Sequence, residues 1–163
     1  MSGDDFPVSK KAFNLALAFH NSADKLVDWL KSTYDGQRTP PEACAVVVNY
    51  SFAAELYLKS ILYKENGEKK ARMLGHKLSD LFERMSDPSK AALRHQRAPF
   101  KWDCKELERE EFSIEHTLTQ YESAFVEYRY LFEDKNKGVS GSIEGIMKAC
   151  DILKVVSKSI VFV

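Results

Sequence analysis

Residues 43–63 read ACAVVVNYSFAAELYLKSILY, the densest apolar run in the chain. Ala43, Val46, Val47, Tyr50, Ala53, Ala54, Tyr57, Leu58, Ile61 and Leu62 recur at steps of three and four, which lays them along one face of an α-helix. Val48, Phe52 and Leu56 add a second apolar arc. A helix that is apolar on most sides is buried on most sides, so this segment is expected at the centre of a helical bundle. Thr39 stands as the expected N-cap, Pro40 and Pro41 suit the first turn, and Glu42 suits the positive end of the helix dipole. Asn66-Gly67 supplies the stop. Glu55 and Lys59, four apart and so one turn from each other, interrupt the stripe. Charges set among apolar side chains need partners. The pair reads either as a half-exposed ion pair with the lysine stem on the core, or as the start of a polar seam inside the bundle.

Outward from this segment, a first helix is expected over residues 8–33, with Phe13, Ala16, Leu17, His20, Val27 and Leu30 on one face. His20 is expected there as a hydrogen-bonded core residue. Tyr34-Asp35-Gly36 ends that helix, and the short link to the next makes the two antiparallel neighbours. After the central helix, residues 78–85 form a short amphipathic helix with Leu78, Leu81, Phe82 and Met85 inward. Pro88 behind an Asp87 cap starts another, which ends by Ala98-Pro99. A loop over 99–103 carries Trp102, and the charged DCKELEREE of 103–111 reads as a surface turn or two. Over residues 114–133, Ile114, Leu118, Tyr121, Phe125, Tyr128 and Phe132 alternate at four and three, the clearest seam of its kind in the chain. KNKGVSGS (135–142) is a loop by composition, and a last helix over 142–161 turns Ile146, Cys150, Leu153, Val156 and Ile160 inward. The apolar ending, Ile160 to Val163, is expected to pack on the bundle or on another subunit.

The expected fold is therefore all-α: one domain over residues 1–163, an up-and-down bundle of four long helices with short helices between the second and third. Composition agrees, since 44 % hydrophobic and 29 % charged residues are ordinary for a globular chain, and seven Gly and five Pro leave long stretches unbroken. With 24 basic and 24 acidic residues the overall charge gives no pull on nucleic acid or membrane, so any basic site must be local. Cys44, Cys104 and Cys150 are far apart, odd in number and without ligand spacing, which points to a reduced, cytoplasmic protein with no metal and no cofactor. The start of the chain does not read as a signal peptide, and no apolar run has the length of a membrane span.

A second charged pair, Arg129 and Glu133, lies on the helix expected over 114–133, with Glu122 two turns back. If the two long helices are neighbours, Glu55, Lys59, Arg129 and Glu133 form one network, serving either to fix helix register or a function. His76, within LGHKL, is a capping or packing residue or a further member of that seam. Two basic groups, Lys69, Lys70, Arg72 and Lys77 in one loop and Arg94, Arg97 and Lys101 in another, would make a modest phosphate-binding surface side by side.

Three segments in order, AAELYLKSILY (53–63), GHKLSDLFERM (75–85) and AFVEYRYLFE (124–133), resemble the small HEPN-domain proteins (higher eukaryotes and prokaryotes nucleotide-binding). The resemblance covers about residues 46–133 and implies a HEPN-like helical bundle. Many members are metal-independent ribonucleases whose Arg is followed, after four to six residues, by a His facing a homodimer cleft. Arg109 and His116 have that spacing, and His116 shares a polar helix face with Thr119, Gln120, Ser123 and Glu127. Such a His can move a proton from a ribose 2′-hydroxyl while the Arg stabilises charge on the phosphate. The resemblance thus implies an effector of defence or toxin–antitoxin type that binds RNA and acts as a metal-independent endoribonuclease. It equally implies the alternative of a non-catalytic module that binds a nucleotide or a protein. The partners it implies are a second copy of the chain, RNA or a nucleotide, and an antitoxin or nucleotidyltransferase, with no membrane.

Overall fold

A computed structural model describes residues 6–36, 41–68, 75–97, 112–122, 124 and 143–163. Among these the chain is all-α, six helices with no strand. They are α1 (Val8–Thr33), α2 (Glu42–Asn66), α3 (Leu78–Glu83), α4 (Asp87–His95), α5 (Ile114–Gln120) and α6 (Ile143–Val161).

The stripe quoted first is the centre of the molecule. Tyr50, Ala53, Ala54, Tyr57, Leu58, Ile61 and Leu62 are all 0 % exposed. α2 packs against α1, α6 and α3. Hydrogen bonds and ring contacts fix the directions. His20 meets Tyr57 and Asp24 meets Tyr50, so numbers rise along α1 as they fall along α2, and the two run antiparallel. Cys150 Sγ donates to the Tyr50 carbonyl and Ser157 Oγ to the Tyr57 carbonyl, so α2 and α6 rise together and are parallel. Phe13 packs on Tyr57, Phe19 stands edge-on to Phe52, and these contacts close the α1–α2 face. By length and composition α2 could cross a membrane, but 67 % of its apolar window is buried inside the bundle, where a core helix passes the same test.

The helix ends show where local chemistry decides. Gly67 caps α2 with φ of 75°, a conformation glycine adopts without a Cβ penalty, and its N–H donates to the Tyr63 carbonyl. At the other end Pro41, in helical conformation and without a side-chain cap, precedes Glu42. The expected Thr39 cap and Pro40 lie outside the described residues. α4 corrects an expectation: its cap is Ser86, whose hydroxyl accepts from the Ser89 N–H, and Asp87 is already the first helical residue. The serine wins because Glu65, at the end of α2, anchors it. That one carboxylate accepts from the Ser86 N–H, the Ser86 hydroxyl and the Ser89 hydroxyl, tying the start of α4 to α2. α3 ends at Glu83, two residues short of the expected end, although Met85 stays buried.

α5 also stops early. It starts at a Ser113 cap, where the hydroxyl accepts from the His116 N–H, and ends at Gln120 with Tyr121 as its cap (φ −105°, ψ 10°). The helix expected to continue to residue 133 is therefore interrupted at Tyr121 and Glu122, and residues 125–133 lie outside the described part. So do the Trp102 loop, the charged 103–111 stretch and the 135–142 loop. At the C-terminus the apolar ending packs on the bundle only in part, and Val163 is exposed. Val161 is buried, and Phe162 stands edge-on to Phe13 beneath the Lys10 ammonium.

Candidate functional site

Two polar clusters lie on α2, and their exposure separates them. The first is dry. His20 is 0 % exposed; its Nδ1 is 3.3 Å from Tyr57 Oη, and its Nε2 has no hydrogen-bond partner among the described residues. That nitrogen points towards Asp24 at 3.7 Å and Asp151 at 3.5 Å. Tyr50 Oη donates to Asp24 Oδ1 at 2.7 Å, and the His20 ring stands edge-on to both tyrosines. Burial, then the hydrogen bond and charge of Asp24, drive the Tyr50 hydroxyl far above its ordinary value. Burial also raises Tyr57, with Cys150 and Asp151 adding to it, and pushes the Cys150 thiol well up. Each of these groups stays in its protonated form, so the cluster is a set of neutral donors around two carboxylates, fitted to hold α1, α2 and α6 in register.

The second cluster reaches solvent. Glu55 is 4 % exposed, and its Oε1 accepts from Lys59 Nζ at 2.7 Å and from His76 Nδ1 at 2.9 Å. The Lys59 side chain is 13 % exposed, whereas that of His76 is 81 % exposed. The fold positions them simply: Glu55 and Lys59 are one turn apart on α2, and the 75–77 segment runs past them into α3. A buried carboxylate thus holds an imidazole whose other side faces water. Of the residues assigned to a polar seam, the structure brings Glu55, Lys59 and His76 together. Arg129 and Glu133 lie outside the described residues. Glu122, from the same expected line, accepts from the Ser79 hydroxyl of α3.

His116 sits on the exposed face of α5, and its ring makes no hydrogen bond or ion pair among the described residues. Arg109 lies outside them. The basic residues divide. Lys77 and Arg97 are exposed, and Lys69, Lys70, Arg72 and Lys101 lie outside the described residues. Arg94 is engaged: its Nε donates to Glu115, linking α4 to α5, and its guanidinium lies 5.7 Å from the Phe82 ring centre. Burial raises the Glu115 carboxyl, but the Arg94 hydrogen bond, its own backbone and the Arg94 charge outweigh that and leave it below its ordinary value. The Lys148 ammonium, 4.4 Å from the Phe112 ring, is held below its ordinary value by burial. Among the described residues no group of three or more His, Cys, Asp or Glu could hold a metal ion.

The spacing of Glu55 and Lys59 is visible in the sequence, whereas His76, 21 residues from Glu55, could be read there as a cap, a packing residue or a member of the seam, and the structure makes it a member. The dry cluster left less signal. Tyr50 and Tyr57 read as part of an apolar stripe, and nothing in the local pattern singles out Asp24 or Asp151. Compared with protein-family models, curated proteins and solved structures, the chain matches none.

Proposed function

We propose that this chain is a HEPN-type effector that binds RNA and cleaves it without a metal ion, in a defence or toxin–antitoxin setting, as a homodimer. Support comes from the all-α bundle together with one observation: His116 stands on an exposed helix face, its ring without a hydrogen bond or ion pair among the described residues, at the start of a helix fixed by its own serine cap. An imidazole on an exposed face is placed to carry a proton between substrate atoms. In this reading His116 carries the proton of a ribose 2′-hydroxyl, and Arg109 meets the charge that builds on the phosphate. The second reading, a non-catalytic module that binds a nucleotide or a protein, has its support in the exposed Lys77 and Arg97 and is weakened at Arg94. One of the basic residues counted towards a phosphate surface is spent on Glu115 and on the Phe82 ring.

The test is purified protein with total RNA in the presence of EDTA, wild type beside His116→Ala, with light scattering on the same preparation. Cleavage by the wild type should fall by about two to four orders of magnitude in the variant, the usual contribution of a general base. The variant should keep its fold, because an exposed side chain carries little packing energy. Equal cleavage by both proteins removes the Arg109/His116 assignment. Absence of cleavage by either leaves the binding module as the reading, and a mass of 18.6 kDa alone removes the dimer.

A further inference from the structure

Three histidines, His76, His95 and His116, are exposed, and only His76 rests on a carboxylate among the described residues. An ionised carboxylate accepts hydrogen bonds and donates none, and Lys59 donates to the same Glu55 oxygen. The His76 nitrogen facing that oxygen, Nδ1, must therefore carry the hydrogen. In the neutral ring this leaves the lone pair on Nε2, the nitrogen on the other side of a ring that is 81 % exposed. A free imidazole in water has no such preference imposed on it. The carboxylate does two further things. It holds the ring in one orientation, and it lies against the positive charge that appears when Nε2 takes a proton. Glu55 can do this because it is buried and already paired with Lys59, so it is fixed before any ligand arrives. Lys77, the next residue in the chain after His76, is exposed and makes no ion pair among the described residues.

We infer that His76, Glu55 and Lys77 form a second site, separate from Arg109 and His116, that binds phosphate-bearing small molecules and accepts a proton from them at His76 Nε2. Lys77 meets the phosphate, His76 takes the proton of a hydroxyl or acid phosphate on the ligand, and Glu55 is the positioning residue. The step needs no co-reactant: the ligand's O–H bond breaks, its electron pair stays on oxygen, and the proton forms the new N–H bond at Nε2.

The three exposed histidines make an internal comparison. Nitrogen-15 spectra of the wild type should show the Nδ1–H tautomer at His76 and the ordinary Nε2–H tautomer at His95 and His116. Carbethoxylation by diethyl pyrocarbonate, followed by peptide mass spectrometry at a pH where all three rings are neutral, should run several-fold faster at His76. Glu55→Gln should bring that rate down to that of the other two. Inorganic phosphate should protect His76 selectively, and Lys77→Ala should abolish the protection. An Nε2–H tautomer at His76 overturns the inference, and the spectrum needs no variant to fold. So does a His76 rate no higher than the others, a rate indifferent to Glu55→Gln in folded protein, or phosphate protection that is absent or equal at all three. None of these readouts involves RNA cleavage, and His116 enters them only as a comparison ring, so the ribonuclease reading can fail while this site stands.

Discussion

Replacing Tyr57 by Phe should destabilise the bundle more than replacing Tyr50 by Phe, although bond lengths point the other way. Tyr50 Oη reaches a charged acceptor, Asp24, at 2.7 Å, while Tyr57 Oη lies 3.3 Å from His20. What differs is what each deletion leaves behind. The Asp24 side chain is 28 % exposed, so water replaces the lost hydroxyl and the cost is an exchange of hydrogen bonds, about 1 kcal/mol. His20 is 0 % exposed, and its Nε2 already has no hydrogen-bond partner among the described residues. Without Tyr57 Oη the buried ring keeps no hydrogen bond among the described residues, only the longer approaches of Nε2 to Asp24 and Asp151, and the cost is the desolvation penalty of an orphaned polar nitrogen, about 2 kcal/mol within a range of about 1–3. Phe at 57 keeps the ring packing against Phe13, and Phe at 50 keeps the edge-on contact with the His20 ring. A double-mutant cycle sharpens the point. His20→Leu with Tyr57→Phe makes both partners apolar, so the pair should cost at least about 1 kcal/mol less than the sum of the singles. The assay is urea unfolding, with midpoints compared at unchanged slope. A larger loss for Tyr50→Phe, or an additive cycle, would refute the reasoning that dryness rather than bond length sets the magnitude.

Glu65→Ala removes the acceptor shared by Ser86 and Ser89 at the start of α4, and should cost about 1–2 kcal/mol in the same unfolding assay, the worth of a cap and a helix-end carboxylate together; a loss below about 0.3 kcal/mol counts against this anchor. The Glu115 carboxyl is held below its ordinary value of 4.5, so it contributes stability above the unfolded-state value and loses it as pH falls through the lower folded one. The advantage of wild type over Glu115→Gln should therefore be full near neutral pH, shrink on acidification below 4.5, and weaken with added salt because the Arg94 partner is exposed; an advantage that grows towards acid would contradict the sign.

How far the fold was legible depended on whether periodicity alone decided it. The α2 stripe was, because ten apolar residues at three- and four-residue steps leave one arrangement, and Gly67 announces the stop with a conformation few other residues adopt. The end of α5 was not. The apolar alternation continues through Tyr121 and Phe125, so nothing in the pattern marks the break that the Tyr121 backbone makes. The α4 cap was legible as a place but not as a residue. Ser86 and Asp87 are both good caps, and the choice came from Glu65, 21 residues upstream. Glu55 and Lys59 were visible as a pair because the helix fixes their spacing. Their third partner, His76, was legible only as one reading among several, because it arrives through a segment whose path no local rule determines. The hydroxyls of Tyr50 and Tyr57 were hidden by their own rings, which count as apolar in any periodic reading.

The two polar clusters are connected through the helix they share. Tyr50 and Tyr57 are two turns apart on one side of α2, and Glu55 lies roughly 140–160° around from them. One cluster therefore faces α1 and α6, and the other faces α3. The tyrosine side is dry and its titratable hydroxyls are pushed beyond use, so its chemistry ends in holding three helices in register. That fixed register is what the other side requires. Glu55 can orient an exposed imidazole only if α2 does not rotate or slide, since a shift of one residue turns the carboxylate about 100° away from the 75–77 segment. A lesion in the dry cluster that spares the overall fold should thus be felt at His76. In Tyr57→Phe, folded and at low temperature, the excess reactivity of His76 over His95 and His116 should decline although the two sites share no side chain. If the excess is unchanged while stability falls, α2 is rigid without the cluster, and the dry side serves stability alone.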